Sequence, residues 1–318
     1  MHNAPMRNTM RGRGRLLLLA AIAVLVVAVV VARVVRPSTL SSLPVAIGSV
    51  GPSAGLPTFK HVYVLVLENK SLDSVIGNPQ APYLNGLATR YGLATNYGAV
   101  AHPSEPNYLA LFGGSTHGVT DDRTHNLDGP SIATELEASG RSWRVVEQNV
   151  PPGCFTGSSA SGGEDGPGTY ARKHNPAISF NQIQGSPGRC ANIVDFSHFR
   201  PNAADYQFIA PNLCNDMHNC SVGQGDAFVR GFLGKLLASP TWGSDDVLFI
   251  TFDEGSHSDS QNLVPLIVVS DKVRSGVRSA TAHTHYSLLR TIEDSWGLPC
   301  LGQACAANDL SEFFAPGG

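Results

Sequence analysis

The stretch His61-Val-Tyr-Val-Leu-Val-Leu67 is a run of apolar and β-branched residues, and Glu68-Asn69-Lys70-Ser71 follows it directly. A run of this length without polar alternation predicts a strand that is buried on both faces. Such strands belong to parallel sheets that carry helices on both sides. The stretch therefore predicts an α/β fold, and it places Glu68 and Asn69 at the end of a strand, where ligands bind in open α/β sheets.

The rest of the chain continues this alternation of strands and helices. Strands are predicted over 143–146, 206–210, 246–252 and 264–270, and helices over 131–139, 225–238 and 286–296. We therefore expect a three-layer α/β/α sandwich with a mostly parallel central sheet. Residues 153–190 are rich in Gly and Ser and show weak periodicity, which predicts a long loop or lid tied by a disulfide.

The amino-terminal segment has the pattern of an export signal. Residues 1–15 contain four arginines and no acidic residue, and residues 16–32 are uninterrupted and apolar. The length favours an uncleaved signal anchor, with a cleaved signal peptide as the alternative, and the flanking arginines argue against a buried core helix. We predict four segments: a basic cytoplasmic segment (1–15), the anchor or signal peptide (16–36), an uncharged Ser/Pro/Gly linker (37–57) and one folded domain (58–318).

Cysteine content agrees with export. The chain has six cysteines, and an even number in an exported protein favours disulfides. Their spacing suggests the local pairs Cys154–Cys190, Cys214–Cys220 and Cys300–Cys305, although other connectivities remain open. A Cys-x-x-Cys spacing does not occur in the sequence, which argues against a zinc site built on thiolates.

The charge distribution limits the partners. Residues 1–36 hold six of the 22 basic residues and none of the 25 acidic ones, so the remainder carries a formal charge of −9. An acidic domain is a poor partner for nucleic acid, and we expect none. A small phosphate ester remains compatible with this charge, provided that a metal ion supplies local positive charge.

A second informative stretch is His102-Pro-Ser-Glu-Pro-Asn-Tyr108, which precedes the apolar segment Leu109-Ala-Leu-Phe112. Ser104 followed by Pro106 predicts a helix start, because Ser is a good N-cap and Pro is tolerated in the first turn. The amino terminus of a helix attracts anions and suits a hydroxyl that attacks phosphorus. A serine with only a capping role is the alternative at this point.

Acidic residues also follow a second buried strand, in Thr251-Phe-Asp-Glu-Gly255. Asp253 and Glu254 are expected at the same edge of the sheet as Glu68 and Asn69. Their oxygens suit a hard or borderline divalent cation. Together with Ser104, they predict a phosphoryl-transfer site in which the cation binds the serine oxygen and neutralises phosphate oxygens.

Histidines and other polar residues lie in segments that are expected near this edge. A histidine beside a phosphate can protonate a leaving alkoxide, although a single histidine is more often structural. The candidates are His102, Asp216, His218 and His285, with Lys173 and His174 in the Gly-rich loop.

These motifs resemble the phosphoesterase family of acid phosphatases and bacterial phospholipases C, within the alkaline phosphatase superfamily. The resemblance covers about residues 58–316, and the segment Tyr170-Ala-Arg-Lys-His174 and the short chain make it most similar to secreted actinobacterial and mycobacterial acid phosphatases. It rests on five segments in family order: 68–71, 102–112, 215–218, 251–255 and 285–294.

The resemblance implies the roles of the site residues. Ser104 is the phosphorylated nucleophile, and it binds a divalent metal together with the four strand-end residues Glu68, Asn69, Asp253 and Glu254. The segment Ser104-Glu-Pro-Asn107 also resembles the Thr-x-Pro-Asn nucleophile segment of nucleotide pyrophosphatases, which implies that Asn107 holds a phosphate oxygen.

The resemblance supports a second metal less strongly than the first, and the number of metal ions stays open. In nucleotide pyrophosphatases it is bound after a Pro-Asp strand end, whereas this chain has Asn212 there, followed by Asp216. Asp216, His218 and His285 are therefore assigned to phosphate and proton handling.

The sequence as a whole predicts an exported, metal-dependent phosphomonoesterase that is secreted or anchored in the cell membrane by its N-terminal segment. Lys173 and His174 of the 153–190 loop would contact the phosphate. A phospholipase C or other phosphodiesterase acting on a phospholipid headgroup is the alternative, although such enzymes typically carry extra C-terminal domains. A catalytically inactive surface-binding domain is disfavoured because Ser104 and Asp253 are both present.

Overall fold

The structure is a computed structural model that describes residues 55–161, 166 and 168–314. The predicted basic segment, the export segment 16–36 and most of the predicted linker lie outside the described residues. Among the helices within those described ranges, none has the length and hydropathy needed to cross a membrane.

The strands form a mostly parallel main sheet and two small ribbons. In the described part of the chain the main sheet has eight strands in the order β11-β2-β10-β9-β1-β8-β4-β7, of which β10 runs antiparallel to both of its neighbours. Strand bounds, in chain order, are β1 His61–Leu67, β2 Gly92–Ala94, β3 Tyr97–Gly98, β4 Trp143–Glu147, β5 Ser159–Ala160, β6 Tyr170–Ala171, β7 Ile193–Asp195, β8 Tyr206–Ala210, β9 Asp246–Phe252, β10 Leu266–Val269, β11 Arg278–Ser279 and β12 His283–Thr284.

Helices cover both faces of this sheet. Every residue of β1 and β9 is buried, which requires packing on both sides. Helix bounds, in chain order, are α1 Leu72–Val75, α2 Pro82–Arg90, α3 Ser104–Gly113, α4 Ile132–Ala138, α5 Asn181–Gln184, α6 Pro187–Cys190, α7 Val222–Leu237 and α8 His285–Trp296. Helix α2 packs on α7, and α3 packs on α8 and α4. The predicted α/β/α sandwich is confirmed.

The central position of β1 determines where the polar residues meet. Strand β1 pairs in parallel with β8 on one side and with β9 on the other. The residues that follow these three strands therefore emerge side by side at one edge of the sheet. Glu68 follows β1, Asp253 follows β9 and Asn212 follows β8.

Helix α3 ends in a tight contact that explains its glycine. Gly114 caps α3 with a left-handed backbone, at φ 68°. A β-carbon at this position would collide with the main chain of Leu301, which lies beside the Cys300–Cys305 disulfide. A glycine is therefore required where the C-terminal segment packs on the helix that begins at Ser104.

The 153–190 region has more structure than the sequence predicted. It contains the β5–β6 ribbon, two 3₁₀ turns at Arg172–His174 and Pro176–Ser179, and the short helices α5 and α6. Its ends are joined by the Cys154–Cys190 disulfide. The other two pairs, Cys214–Cys220 and Cys300–Cys305, also form as their spacing suggested.

Candidate active site

Ser104 lies at the centre of the carboxyl edge of the sheet. Its side chain is buried, with 1% of the residue exposed. The hydroxyl donates toward Glu68 Oε2 at 3.2 Å and Glu254 Oε1 at 3.4 Å. The structure therefore brings the predicted nucleophile together with two of the predicted strand-end acids.

Ser104 is not the N-cap that the sequence predicted. The capping position is Pro103, whose backbone is extended, and Ser104 is the first helical residue. Asp122 caps the helix instead, because its Oδ1 accepts the Glu105 N–H at 3.0 Å. The serine hydroxyl is thus released from capping and faces the carboxylates.

Glu68 connects the nucleophile to the lid. Tyr108, one turn along α3 from Ser104, donates its hydroxyl to Glu68 Oε1, and the same oxygen lies 3.3 Å from His174 Nε2. The rings of Tyr108 and His174 stack, with centroids 5.1 Å apart. Glu68 is fully buried, so these contacts hold its carboxylate in one orientation.

Asn69 and Asp253 supply oxygen atoms that have no hydrogen-bond partner. The Asn69 N–H donates to Asp253 Oδ1 at 3.1 Å, which joins the ends of β1 and β9. Within the described residues, Asn69 Oδ1 and Asp253 Oδ2 are buried and unpaired. Buried polar atoms are nearly always satisfied, so these two oxygens are suited to a bound cation.

A second group of potential metal ligands combines Glu68 with His174 and Asp216. One ligand atom from each residue lies within 4.8 Å of the others, and all three side chains are buried. His174 Nδ1 lies 3.5 Å from Asp216 Oδ2. The sequence assigned His174 to substrate and Asp216 to proton handling, so this grouping was missed.

The electrostatics of the edge favour a cation. Burial, with neighbouring carboxylates, raises the pKa of Glu68 and Asp216 well above the usual range. Burial and the charge of Glu254 raise the pKa of Asp253 to about 7, and burial and the charge of Asp122 raise the pKa of Glu254 to about 7. Burial also lowers the pKa of His174 well below its usual range, so its imidazole is neutral and available as a ligand.

His102 lies at the mouth of the site. Its Nδ1 bonds to Glu254 Oε2, and 28% of its side chain is exposed. Its Nε2 has no hydrogen-bond partner among the described residues. The ring of His257 packs edge-on against it, with centroids 5.7 Å apart. A histidine held by one nitrogen and open at the other suits proton delivery to a leaving group.

Asn107 does not face the predicted phosphate position. Its Oδ1 accepts from the N–H groups of Val100 and Ala101, and its Nδ2 donates to the carbonyls of Ala101 and Pro103. The residue is fully buried. The amide is therefore used to fix the loop that leads into Ser104, which leaves no group for a phosphate oxygen.

His285 is also committed to other groups. Its Nε2 bonds to the carbonyl oxygen of Asp253 at 2.5 Å, and its Nδ1 bonds to the Tyr97 hydroxyl at 3.0 Å. Burial lowers its pKa to about 4. The structure places His285 behind Asp253, where it positions the end of β9, rather than beside Ser104 as an acid.

Lys173 lies near the carboxylate cluster. Its Nζ donates to Asp122 Oδ2 at 2.7 Å. Burial opposes the charged form, but the charges of Glu68, Asp122 and Asp253 together raise the pKa of Lys173. Lys173 is thus a cation beside the carboxylates, as is Lys70, and contact between Lys173 and a phosphate stays a prediction.

His218 lies at the outer side of the same edge. Its Nδ1 bonds to Asn219 Oδ1 at 2.6 Å, and its ring centroid is 6.2 Å from that of His174. Its main-chain N–H donates to Asp216 Oδ1 at 2.7 Å. The segment after β8 therefore positions Asp216 through its backbone.

The sequence analysis did not assign two residues, Tyr108 and Asp122, to the site. Tyr108 is part of the quoted stretch, and its place one turn after Ser104 was the available signal. Asp122 belongs to a polar loop without periodicity, and only the fold brings it to the start of α3.

The α/β sandwich, with a serine at a helix start and acids at parallel strand ends, has the alkaline phosphatase fold. Solved structures share this fold. A protein in the alkaline phosphatase superfamily from Vibrio parahaemolyticus superposes with a TM-score of 0.54 at 10% identity, covering 84% of this chain and 75% of that one. A lipoteichoic acid synthase from Listeria monocytogenes superposes with a TM-score of 0.54 at 12% identity, covering 80% and 78%.

Sequence comparison gives the family. The Phosphoesterase family model matches residues 78–299, and the chain belongs to this family. It is 35% identical over 297 residues to a phosphatidylinositol-3-phosphatase from Mycobacterium tuberculosis, covering 90% of this chain and 94% of that protein. A probable acid phosphatase from Kluyveromyces lactis is 34% identical over 77% of this chain, which spans only 60% of the yeast protein. The protein is therefore a phosphoric ester hydrolase, as the sequence predicted.

Proposed function

We propose that the protein is an exported, metal-dependent phosphomonoesterase that forms a phosphoserine at Ser104. One observation carries this proposal: the buried Ser104 hydroxyl lies within 3.2 Å and 3.4 Å of two carboxylate oxygens at the strand ends. A serine with only a structural role does not require this concentration of negative charge, which costs stability unless a cation balances it.

The residues present fit a divalent cation. Asn69, Asp253, Glu254 and Ser104 offer oxygen atoms, and two of these atoms are buried and unpaired among the described residues. The neighbouring Glu68–His174–Asp216 group adds an imidazole, a ligand that zinc, iron and manganese accept. When bound, the cation would lower the pKa of the serine hydroxyl and neutralise charge on the phosphate oxygens.

The first step is an in-line attack of Ser104 Oγ on phosphorus. Glu68 and Glu254 accept hydrogen bonds from Oγ, so a carboxylate is in place to take the proton as the new bond forms. The bond from phosphorus to the leaving oxygen breaks, and that oxygen takes a proton from His102 Nε2. Water then hydrolyses the phosphoserine and releases phosphate.

Lys173 and the start of α3 supply positive charge for the substrate. In the first turn of α3 the Glu105 N–H is bonded to Asp122 and Pro106 has no N–H, so the contribution of the helix is the positive end of its dipole, and Lys173 is a cation held by Asp122. Both features favour the dianionic phosphate of a monoester, and the mycobacterial relative is a phosphatidylinositol-3-phosphatase.

Export is supported by the three disulfides, which close loops in the described domain. Disulfides persist in oxidising compartments and are rare in the cytosol. The predicted anchor or signal peptide at 16–36 is the segment that would carry the domain there.

The test is turnover of p-nitrophenyl phosphate against bis-p-nitrophenyl phosphate by the wild type and by Ser104→Ala. We expect the monoester to be preferred and the variant to lose at least about a thousandfold in kcat while keeping its circular dichroism spectrum. Ser197→Ala, in the 3₁₀ turn Phe196–His198 that follows the edge strand β7, is the matched control. Near-normal turnover by Ser104→Ala would reject the nucleophile.

A further inference from the structure

Asn262 joins the two segments that carry the mouth of the site. Its Nδ2 donates to the carbonyl oxygen of Ala101 at 2.9 Å, and its Oδ1 accepts the Gly255 N–H at 2.8 Å. Ala101 directly precedes His102, and Gly255 directly follows Glu254. One amide group therefore connects the main chain beside the proposed acid to the main chain beside the carboxylate that holds this acid.

The main chain of Ala101 is held from two sides. Asn107, in α3, bonds both its N–H and its carbonyl oxygen, and Asn262 bonds the same carbonyl from the loop between β9 and β10. The carbonyl oxygen of Asn262 also accepts the Ala99 N–H at 3.0 Å. The segment that leads into His102 is therefore fixed against both α3 and the β9–β10 loop.

The close approach of these segments depends on the residue types present. Asn262 has a φ of 51°, in the left-handed region, where asparagine is tolerated better than most side chains. At Gly255, a β-carbon would lie 3.3 Å from Asn262 Oδ1 and 2.9 Å from Ser71 Oγ. The contact between the two segments thus requires a residue without a side chain at position 255 and favours asparagine at position 262.

The same amide closes the loop 255–262 at its base, because the last residue of this loop bonds the first. The loop is also braced internally, since the Asp259 N–H donates to the carbonyl oxygen of Ser256 at 2.7 Å. It carries His257, which is exposed and packs edge-on against the ring of His102. Asn262 therefore acts on His102 both through the main chain and through the ring that packs against it.

We propose that Asn262 is a positioning residue for His102, which fixes the imidazole where its Nε2 reaches the leaving oxygen of the phosphate ester. Among the described residues, the Asn262 side chain hydrogen-bonds to main-chain groups only. The inference rests on the proposed function, in which His102 Nε2 gives a proton to the leaving oxygen while Ser104 Oγ bonds to phosphorus. Loss of the Asn262 amide should therefore slow esters whose leaving group needs a proton and spare esters whose leaving group does not.

The test compares phenyl phosphate with p-nitrophenyl phosphate, because phenolate is the more basic leaving group and depends more on protonation. We expect Asn262→Gly to lower kcat/KM roughly thirtyfold for phenyl phosphate and less than about threefold for p-nitrophenyl phosphate, since a misplaced acid loses much of its contribution. Glycine adopts the left-handed backbone without strain, so the substitution removes only the side chain.

A second variant, Asn262→Asp, isolates the bond to Ala101. The carboxylate still accepts the Gly255 N–H, but it places an oxygen against the Ala101 carbonyl oxygen in place of a donor. We expect the same preferential loss on phenyl phosphate. Full activity of Asn262→Asp toward phenyl phosphate would contradict the proposal.

Asn202→Gly is the matched control. Asn202 also has a left-handed backbone, at φ 60°, and its side chain also makes two hydrogen bonds, to the Tyr63 hydroxyl and to the Thr241 carbonyl oxygen. It precedes β8, at the amino-terminal end of that strand and away from the carboxyl edge. The variant should leave the ratio of the two kcat/KM values unchanged.

A double variant shows whether Asn262 acts through His102. In a His102→Ala background, Asn262→Gly should cause little further loss on phenyl phosphate, because effects that pass through one shared group are not additive. Equal losses on both esters by Asn262→Gly, or an undiminished loss in the His102→Ala background, would overturn the proposal. A wild type that hydrolyses neither ester would instead reject the proposed function.

Discussion

The side chains that surround the Ser104 hydroxyl belong to several elements. Glu68 approaches it from the end of β1 and Glu254 from the end of β9, while Asp122 takes over the capping role that the serine would otherwise have. Tyr108 fixes Glu68 from within the same helix. At the scale of single residues, both carboxylates that contact the Ser104 hydroxyl are held by another side chain: Glu68 by Tyr108 and Glu254 by His102.

Asn107 gives a residue-level prediction that separates a structural role from substrate binding. Replacing it with Ala removes four hydrogen bonds to the loop 100–103 and leaves part-buried main-chain groups of that loop without the amide as a partner. We expect Asn107→Ala to lower the free energy of unfolding by about 3 kcal/mol, measured by urea denaturation, because unpaired buried groups are costly.

The inhibition constant for inorganic phosphate serves as the second measurement on the same variant. It should change little at a temperature where the variant is folded, because the amide contacts only the main chain of the loop. Unchanged stability with a large rise in that constant would restore Asn107 as a phosphate ligand.

At the scale of elements, the ends of the parallel strands bring carboxyl groups together. This arrangement makes the free energy of unfolding depend on pH. The pKa of Asp253 is about 7 in the fold and near 3.8 when unfolded, so the folded state binds the proton more tightly. The free energy of unfolding that Asp253 contributes therefore falls as pH rises from about 4 to about 7.

We expect the chelated wild type to lose on the order of 2–3 kcal/mol relative to Asp253→Asn between pH 5 and pH 7.5. Urea denaturation of both proteins at both pH values measures this difference, and the comparison cancels the titration of distant groups. A saturating divalent cation should abolish the loss in the wild type. A wild type that gains stability relative to the variant over this range would contradict the assigned charge cluster.

The lid, residues 153–190, is closed by a disulfide near its two ends. Cys154–Cys190 joins residues 36 apart and closes the segment that carries Lys173 and His174. Replacing both cysteines by Ala is expected to cost about 4 kcal/mol in urea denaturation. Turnover should fall as well, because the segment that positions Lys173 and His174 would no longer be closed by a covalent bond.

The Cys300–Cys305 pair is the matched control, since it joins residues only 5 apart. Its removal should cost about 2 kcal/mol and leave kcat nearly unchanged. Equal losses of activity in the two double variants would show that the lid is held by its packing rather than by the disulfide.

At the scale of the whole molecule, the sequence predicts the features that are encoded within one short segment, such as an apolar strand and the acidic residues that follow it. The β1 and β9 runs and the acids that follow them were predictable because parallel strands end at one edge. The roles of Asn107 and His285 were not, since the sequence does not show which hydrogen bonds their side chains make. Asp122 and the Glu68–His174–Asp216 group come from distant segments that only the tertiary fold brings together.

The same fold explains why one chain can keep so many buried acids. Glu68, Asp216 and Asp253 lie in the interior of a well-packed sandwich whose central strands are buried throughout. The packing of the apolar core offsets the free-energy cost of burying these acidic groups, and a bound cation would lower that cost. Three buried acidic residues therefore lie together at one edge of the sheet.

The most direct test of the central claim is detection of phosphate on Ser104 during turnover. The wild type is mixed with p-nitrophenyl phosphate, quenched in acid within milliseconds and digested for mass spectrometry of the peptide that contains residues 102–112. We expect a phosphoserine at Ser104 that appears before steady state and is lost when the substrate is exhausted. Steady turnover with no phosphate on Ser104, or with phosphate on another residue, would contradict the account.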